Sequence, residues 1–293
     1  MASIREMRLR IKSVKSLAQV TKALETVSAS KVRKAVLANQ ASKPYSEKAW
    51  KVLLHLARQP GHNNLHPLLN ERPFVRKILV VMISGDRGLA GSYNVNVLRN
   101  TLMYFDQFSQ QVDYVCIGKK GRDLLLRRRA NVIAEFTDLK NPVSFLEISP
   151  ISHLIVEDFL AGEHDQFYLS YTEFESMTKQ ETRIRKILPL EVDYSGHGPN
   201  ATHEAVHSVF SYEPDQKELL DEIIPRFTGM QIYQAVLSSQ ASEHAARMIS
   251  MSNATENANE LGGILQLEYN KARQQSITND MLDIVGGAAA QTN

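Results

Sequence analysis

Cysteine is almost missing from this chain of 293 residues: Cys116 stands alone. No intrachain disulfide can form and no Cys-based zinc site can be built, and a lone thiol suits a reducing compartment. Long apolar runs are missing too. No stretch approaches the roughly 18–20 residues that cross a bilayer. Glycine is absent from residues 3 to 57, which removes the commonest helix breaker from a long segment. Lys and Arg are absent from the last twenty residues, 274 to 293, which hold Asp280 and Asp283. Residues 1 to 37, by contrast, hold nine basic residues against Glu6 and Glu25. The net charge of +2 hides this asymmetry, which suggests termini that meet different surroundings, or each other. Contents of 43% hydrophobic and 23% charged residues are ordinary for a soluble globular protein.

What is there falls into three rhythms. Residues 3 to 57 predict a helix, with apolar or small residues at Ile4, Met7, Ile11, Val14, Ala18 and Thr21. Leu17, Leu24 and Val27 should widen that stripe, and Pro44 should kink or interrupt it. The basic, Ser-containing start reads like a mitochondrial transit peptide, but the same pattern runs far beyond a cleavable length. From about 74 to 195 short apolar strands alternate with helices. "KILVVMIS", "VDYVCIG" and "NVIAEF" are buried strands, with helices from Tyr93 to Phe108 and over "KKGRDLLLRRR". "SPISHLIVEDFLAG" is a helix with a Ser-Pro start, and "DQFYLSYTEF" and "TRIRKILPLE" can pair as a hairpin. This alternation predicts an α/β layer with a largely parallel sheet.

Residues 213 to 287 turn helical again. A heptad-like series with many small residues runs from Ile223 and Phe227 to Tyr269 and Ala272, and Pro225 should bend its start. If continuous, about 70 residues at 1.5 Å each make roughly 105 Å of helix. That is wider than a compact domain, so the stripe needs a partner. The N-terminal segment is available to return antiparallel against it; packing each stripe on the sheet of its own domain is the plainer alternative, though helices that do so rarely exceed about 20 residues.

Three motifs compete for a chemical reading. His203-Glu204-x-x-His207 has the H-E-x-x-H pattern of zinc peptidases, in which two His on one helix face share a metal and the Glu activates its water. The positions where a metzincin carries a Gly and a third His are Phe210 and Glu213. The surrounding "SGHGPNAT" is a loop by composition, and an accidental match is the better reading. "SGDRGLAGSYN", Ser84 to Asn94, lies where phosphate loops lie, but Gly85, Gly88 and Gly91 fit neither nucleotide fingerprint. A tight turn into a helix is the better reading there. The basic N-terminal helix could grip nucleic acid or an anionic membrane; its apolar stripe favours a charged outer face of a coiled coil.

The last stretch is the most informative. In "LEYNKARQQSITNDMLDIVGGAAA", residues 267 to 290, a polar collar of Lys271, Arg273, Gln274, Ser276 and Thr278 precedes a tip of small and apolar residues. This stretch, "IKSVKSLAQVTKALETVSASKVRKA" and "ASEHAARMISMSNATENANEL" resemble the signatures of the gamma-subunit family of F-type ATP synthases. The resemblance covers nearly the whole chain. It departs at Ala90, where Cys is usual, at Ser92, where Gly is usual, and at Gly262-Gly263, a pair inside a predicted helix.

The resemblance implies an α/β fold: a long antiparallel coiled coil of the N- and C-terminal helices, with a Rossmann-like α/β domain inserted between them. The implied domains are residues 1–60, 74–195 and 210–293, the last pairing with the first. It implies a central-stalk rotor subunit that couples proton flow to ATP synthesis or hydrolysis, with no catalytic residue, metal or cofactor of its own. The implied partners are the alpha and beta subunits of the catalytic hexamer, the epsilon subunit and the c-subunit ring, with no nucleic acid. Membrane association is then peripheral and through the complex, on the cytoplasmic face in a bacterium or the matrix or stromal face in an organelle. The residues matching the family's partner contacts are Lys22 and Leu24, Arg247, and Arg273, Gln274 and Thr278, with Lys22 and Leu24 expected beside the collar. The alternative is an α/β nucleotide- or zinc-dependent enzyme with helical extensions.

Overall fold

The computed structural model describes residues 4–57, 67–70, 72–190 and 216–291. In chain order the elements are α1 Ile4–Ala57, β1 Lys77–Ile83, α2 Tyr93–Phe105, β2 Gln111–Ile117, α3 Lys119–Arg127, β3 Asn131–Phe136, α4 Phe145–Ala161, β4 Gln166–Phe174, β5 Gln180–Leu188 and α5 Gln216–Gln291. Residues 1–28 with 247–293 form one compact unit and residues 29–246 another, so α1 and α5 each contribute to both.

The second unit holds one sheet in the order β3-β2-β1-β4-β5. β1 pairs parallel with β2 and β4, and β2 pairs parallel with β3. β5 closes the edge antiparallel to β4, as the hairpin reading of these segments predicts. Side chains alternate across a strand, so β1 feeds two cores. Leu79, Val81 and Ile83 pack with Ile148, Ile151, Ile155 and Phe159 of α4 and with Ile224, Phe227, Ile232 and Leu237 of α5. Ile78, Val80 and Met82 pack with Val97, Leu98 and Phe105 of α2 and Leu125 of α3. Burial on both faces explains why β1 reads as a continuous apolar run rather than an alternation. On this unit's part of α1, Trp50 stacks on Phe227 of α5 with ring centroids 5.6 Å apart.

At the N-terminal edge of the sheet a buried polar cluster joins several elements. His164 contacts Asp158 through Nδ1 at 2.7 Å and Asp113 through Nε2 at 3.1 Å. Its neighbour Asp165 accepts from the N–H groups of Arg76 and Lys77 and from the Arg72 guanidinium. Burial alone would raise the Asp165 carboxyl; these three donors hold it below its ordinary value instead. Asp113 is likewise lowered, against burial, by hydrogen bonds from Asn131, His164 and Gln111.

Some elements differ from their predicted form. α1 and α5 run through Pro44 and Pro225 without a break in the helix. Around Pro225 the fully buried Ile224 and the stacked Phe227 fix the backbone on both sides. α4 does not start at the Ser149-Pro150 pair. It starts four residues earlier, where Ser144 donates through its N–H and hydroxyl to Glu147 Oε2, a capping box, and Pro150 lies inside the helix. α2 ends at Phe105 rather than Phe108, although the Phe108 ring still packs, tilted or edge-on, against Tyr104, Phe105 and Tyr168.

Candidate partner-binding shaft

In the first unit the two chain ends run side by side in opposite directions. Arg8 Nη2 donates to the Tyr269 hydroxyl at 2.8 Å. Val14 lies against the backbone of Gly262, and the hydroxyls of Thr21 and Thr255 meet at 2.7 Å. Between successive contacts each helix advances by six or seven residues, the spacing of a heptad. The seam mixes small residues with two larger apolar ones, Ile11 and Met251. Ile11, Ala18, Thr21 and Ser28 are buried on α1, and Met251 and Ala258 on α5.

Leu17 and Val27 do not widen the buried stripe. They are 54% and 53% exposed, and Leu9 and Val20 are exposed with them. Two helices alone bury only a narrow seam, so the second apolar face stays outside. Within the collar α5 also exposes Ile277, and beyond it Met281, Leu282, Ile284 and Val285. Contiguous exposed apolar surface of this kind marks an interaction site. Helical periodicity alone could not separate the seam from this outer face, because both recur at the same spacing.

The predicted contact residues fall into two groups. Arg273, Gln274 and Thr278 are exposed together on α5, with the Thr278 hydroxyl bonded to the Gln274 carbonyl at 3.0 Å. Lys22 and Leu24 are not beside them. The pairing of Thr21 with Thr255 sets them about 27 Å along α5 from Arg273, at 1.5 Å per residue. Lys22 is exposed and pairs with Glu25 at 3.0 Å, and Leu24 is half-buried. Arg247, about 12 Å from Thr255 on the same helix, is 8% exposed and so held inside the protein rather than displayed.

Near the collar a groove of about 350 Å³ is lined by Arg8, Ile11, Lys12, Lys15, Gln266 and Tyr269. Arg8 sits over the Tyr269 ring at 5.7 Å, a cation–π arrangement. Its hydrogen bond lowers the Tyr269 hydroxyl below its ordinary range, and the charges of Arg8 and Arg273 add to this. Charge and shape here suit carboxylates, and no geometry in the groove prepares bond-making or bond-breaking.

Open α/β folds take ligands at the C-terminal edge of the parallel sheet. The Ser84–Asn94 turn is knitted into the protein. Gly85 N–H donates to Asn94 Oδ1, Ser84 Oγ donates to the Ile117 carbonyl, and Asp86 accepts from the N–H groups of Lys119 and Asp138. A side chain at Gly85 would come within 2.7 Å of the Glu243 carboxyl of α5, so a carboxylate, which repels phosphate, faces this turn. Among the described residues no group of three or more His, Cys, Asp or Glu is arranged to hold a metal ion. His203 and His207 lie outside the described residues.

Comparison with known proteins agrees with this geometry. A family model described as ATP synthase matches residues 3–291. The ATP synthase gamma chain of Dehalococcoides mccartyi is 43% identical over 291 residues, 99% of each chain. That of Roseiflexus sp. is 40% identical over 295 residues, again 99% of each. Among solved structures, a chain of the Euglena gracilis mitochondrial ATP synthase, in an assembly of OSCP, F1 and c-ring, superposes with a TM-score of 0.67 at 20% identity, covering 98% of this chain and 94% of that one. A chain of the Tetrahymena thermophila mitochondrial ATP synthase central stalk and c-ring gives 0.59 at 20% identity, over 80% of this chain and 99% of that one. Paired terminal helices, a Rossmann-like sheet between them and full-length likeness to curated gamma chains lead to one conclusion: the chain belongs to the ATP synthase gamma-chain family.

Proposed function

We propose that this chain is the rotor of the central stalk in an F-type ATP synthase, turning inside a ring of alpha and beta subunits. The carrying observation is the antiparallel seam from Arg8–Tyr269 to Thr21–Thr255, which joins the chain's two ends into one shaft. The shaft's surface is asymmetric. Its basic groove and collar, Arg8, Lys12, Lys15, Arg273 and Gln274, suit acidic loops of a beta subunit, and its exposed apolar tip suits an apolar sleeve. Three chemically identical partners then meet three different faces, and differential contact is what biases their states.

On this reading the chain holds no catalytic residue, and the chemistry belongs to its partners. Lys22, Leu24, Arg247, Arg273, Gln274 and Thr278 serve coupling, in two sets at different heights. The 74–195 domain is the foot, meeting the c-subunit ring and the epsilon subunit, with residues 1–60 and 210–293 as the shaft. The complex is membrane-bound, and this subunit sits peripherally on its cytoplasmic face. No helix of the described residues is long and apolar enough to cross a membrane, which fits attachment through partners.

Co-expression with alpha and beta chains tests the proposal. One copy of this chain in a hexameric ATPase supports it. Stoichiometric zinc or micromolar nucleotide binding by the isolated chain, without assembly, overturns it in favour of an enzyme.

A further inference from the structure

Residues 238 to 244 of α5 enter the C-terminal edge of the sheet with an unusual surface. Ser238, Ser239 and Ser242 are 6%, 1% and 0% exposed, where apolar residues would ordinarily fill a helix–sheet contact. Each bonds the main chain of β4. The Phe174 N–H donates to Ser238 Oγ at 2.8 Å, and the Thr172 N–H donates to Ser239 Oγ at 3.1 Å. Ser242 Oγ donates to the Thr172 carbonyl at 3.4 Å. On another arc of the helix, Gln240 Nε2 donates to the Lys140 carbonyl at 2.8 Å, and its Oε1 accepts from the Val143 N–H at 3.2 Å. Asn141 Nδ2 donates to His244 Nε2. Between these arcs Glu243 lies against Gly85.

At 100° per residue, these groups occupy about 240° of the circumference of α5. The three walls are the end of β4, the turn after β1 and the loop after β3. All lie on the edge where folds of this kind bind a ligand. Here that crevice is a socket for the protein's own helix.

We propose that this socket is the joint that passes torque from the sheet domain to α5, with Ser238, Ser239, Ser242 and Gln240 as its positioning residues. The hydrophobic term is non-directional and does not by itself fix a helix at one angle. Hydrogen bonds weaken steeply below about 120° at the hydrogen, so a ring of them resists axial rotation in both senses. The groups that Ser238, Ser239, Ser242 and Gln240 meet are main-chain groups of the sheet and its loops, which cannot swing to follow a turning helix as side chains could. The inference rests on the rotor reading.

The test uses the whole enzyme in membrane vesicles, reading ATP-driven proton uptake and ATP hydrolysis together against a rising opposing gradient. In the variant S238A/S239A/S242A, hydrolysis without a gradient stays near wild type, while the ratio of uptake to hydrolysis falls several-fold as the gradient builds. Gln240→Ala shows a smaller fall, and Gln240→Glu, which keeps the acceptor for Val143, a smaller one still. Should the triple variant fail to assemble, the Gln240 pair carries the test alone. A wild-type enzyme that couples, beside variants whose ratio is unchanged or whose hydrolysis and uptake drop in parallel, overturns the socket and leaves the rotor reading standing. A wild-type chain that never drives uptake overturns the rotor reading, and the torque role falls with it.

Discussion

At the scale of single residues, Gly85 and Cys116 show how packing decides tolerance. A Cβ at position 85 meets the far end of the Glu243 side chain at 2.7 Å, so Gly85→Val must push that flexible carboxyl aside. The cost should stay at the low end of overpacking, about 1 kcal/mol, and thermal unfolding should show it. Cys116 lies in β2 with no exposed surface, and burial first, then the charge of Glu135, push its thiol up to about 12. The thiolate is the reactive form. Cys116 should therefore resist thiol reagents at pH 8 in the native protein and react once it is unfolded, and prompt native labelling would contradict the structure. Sequence reading separated these residues unevenly. The lone Cys116 was legible as a strand residue, and the 84–94 turn as a turn. The reason for Gly85 was not legible, because it lies in a side chain more than 150 positions away.

At the scale of elements, the helices were legible in extent and less so in what they do with their faces. The glycine-free start predicts α1 to within a residue, and the heptad rhythm, read over 213 to 287, places α5 to within about four residues of Gln216–Gln291. Leu17 and Val27 stayed outside the seam because two helices leave a second face open, and no spacing rule says which face that is. The start of α4 was hidden by Pro150, a strong start signal that lost to the Ser144–Glu147 capping box. Lys22 and Leu24 stand out in the sequence only through the family resemblance, and their distance from the collar needed the register of Thr21 on Thr255.

Two predictions belong to the shaft itself. Nothing lies within 4 Å of a Cβ at Gly263, and at Gly262 only Val14 comes to 3.7 Å, ordinary contact. Neither glycine is needed for close approach. Changing both to Ala should stabilise this part of α5 by up to about 2 kcal/mol and slow amide exchange around it. Unchanged exchange would mean the pair is not a soft point. Arg273 is exposed and no salt bridge tethers it among the described residues. Arg273→Ala should leave thermal stability within about 0.5 kcal/mol and lower coupled ATP synthesis in the assembled enzyme. A large loss of stability would reassign it to the fold.

At the scale of the whole molecule, stability should depend on acid through the sheet domain. Asp165 and Asp113 have folded values below their ordinary ones. Their contribution is fully present above the unfolded value of about 3.9 and is lost as pH falls through the lower folded value. Stability should therefore drop below about pH 4. Asp165→Asn should lower stability at neutral pH by about 2 kcal/mol, as charged hydrogen bonds disappear, and should flatten the acid limb in denaturant titrations.

The seam also sets an order of events during synthesis. Arg8 meets a residue 261 positions later, and Thr21 one 234 positions later. The first helix thus leaves the ribosome with no mate and keeps its stripe bare while the entire sheet is made. Ile224 to Leu237 must also arrive before one face of that sheet is covered. Contacts this remote pay loop closure before they return anything, so maturation is slow and completes only when translation does. A nascent chain cut short before Thr255 is left with an unmated amphipathic helix, which quality control can recognise before a faulty axle reaches a motor.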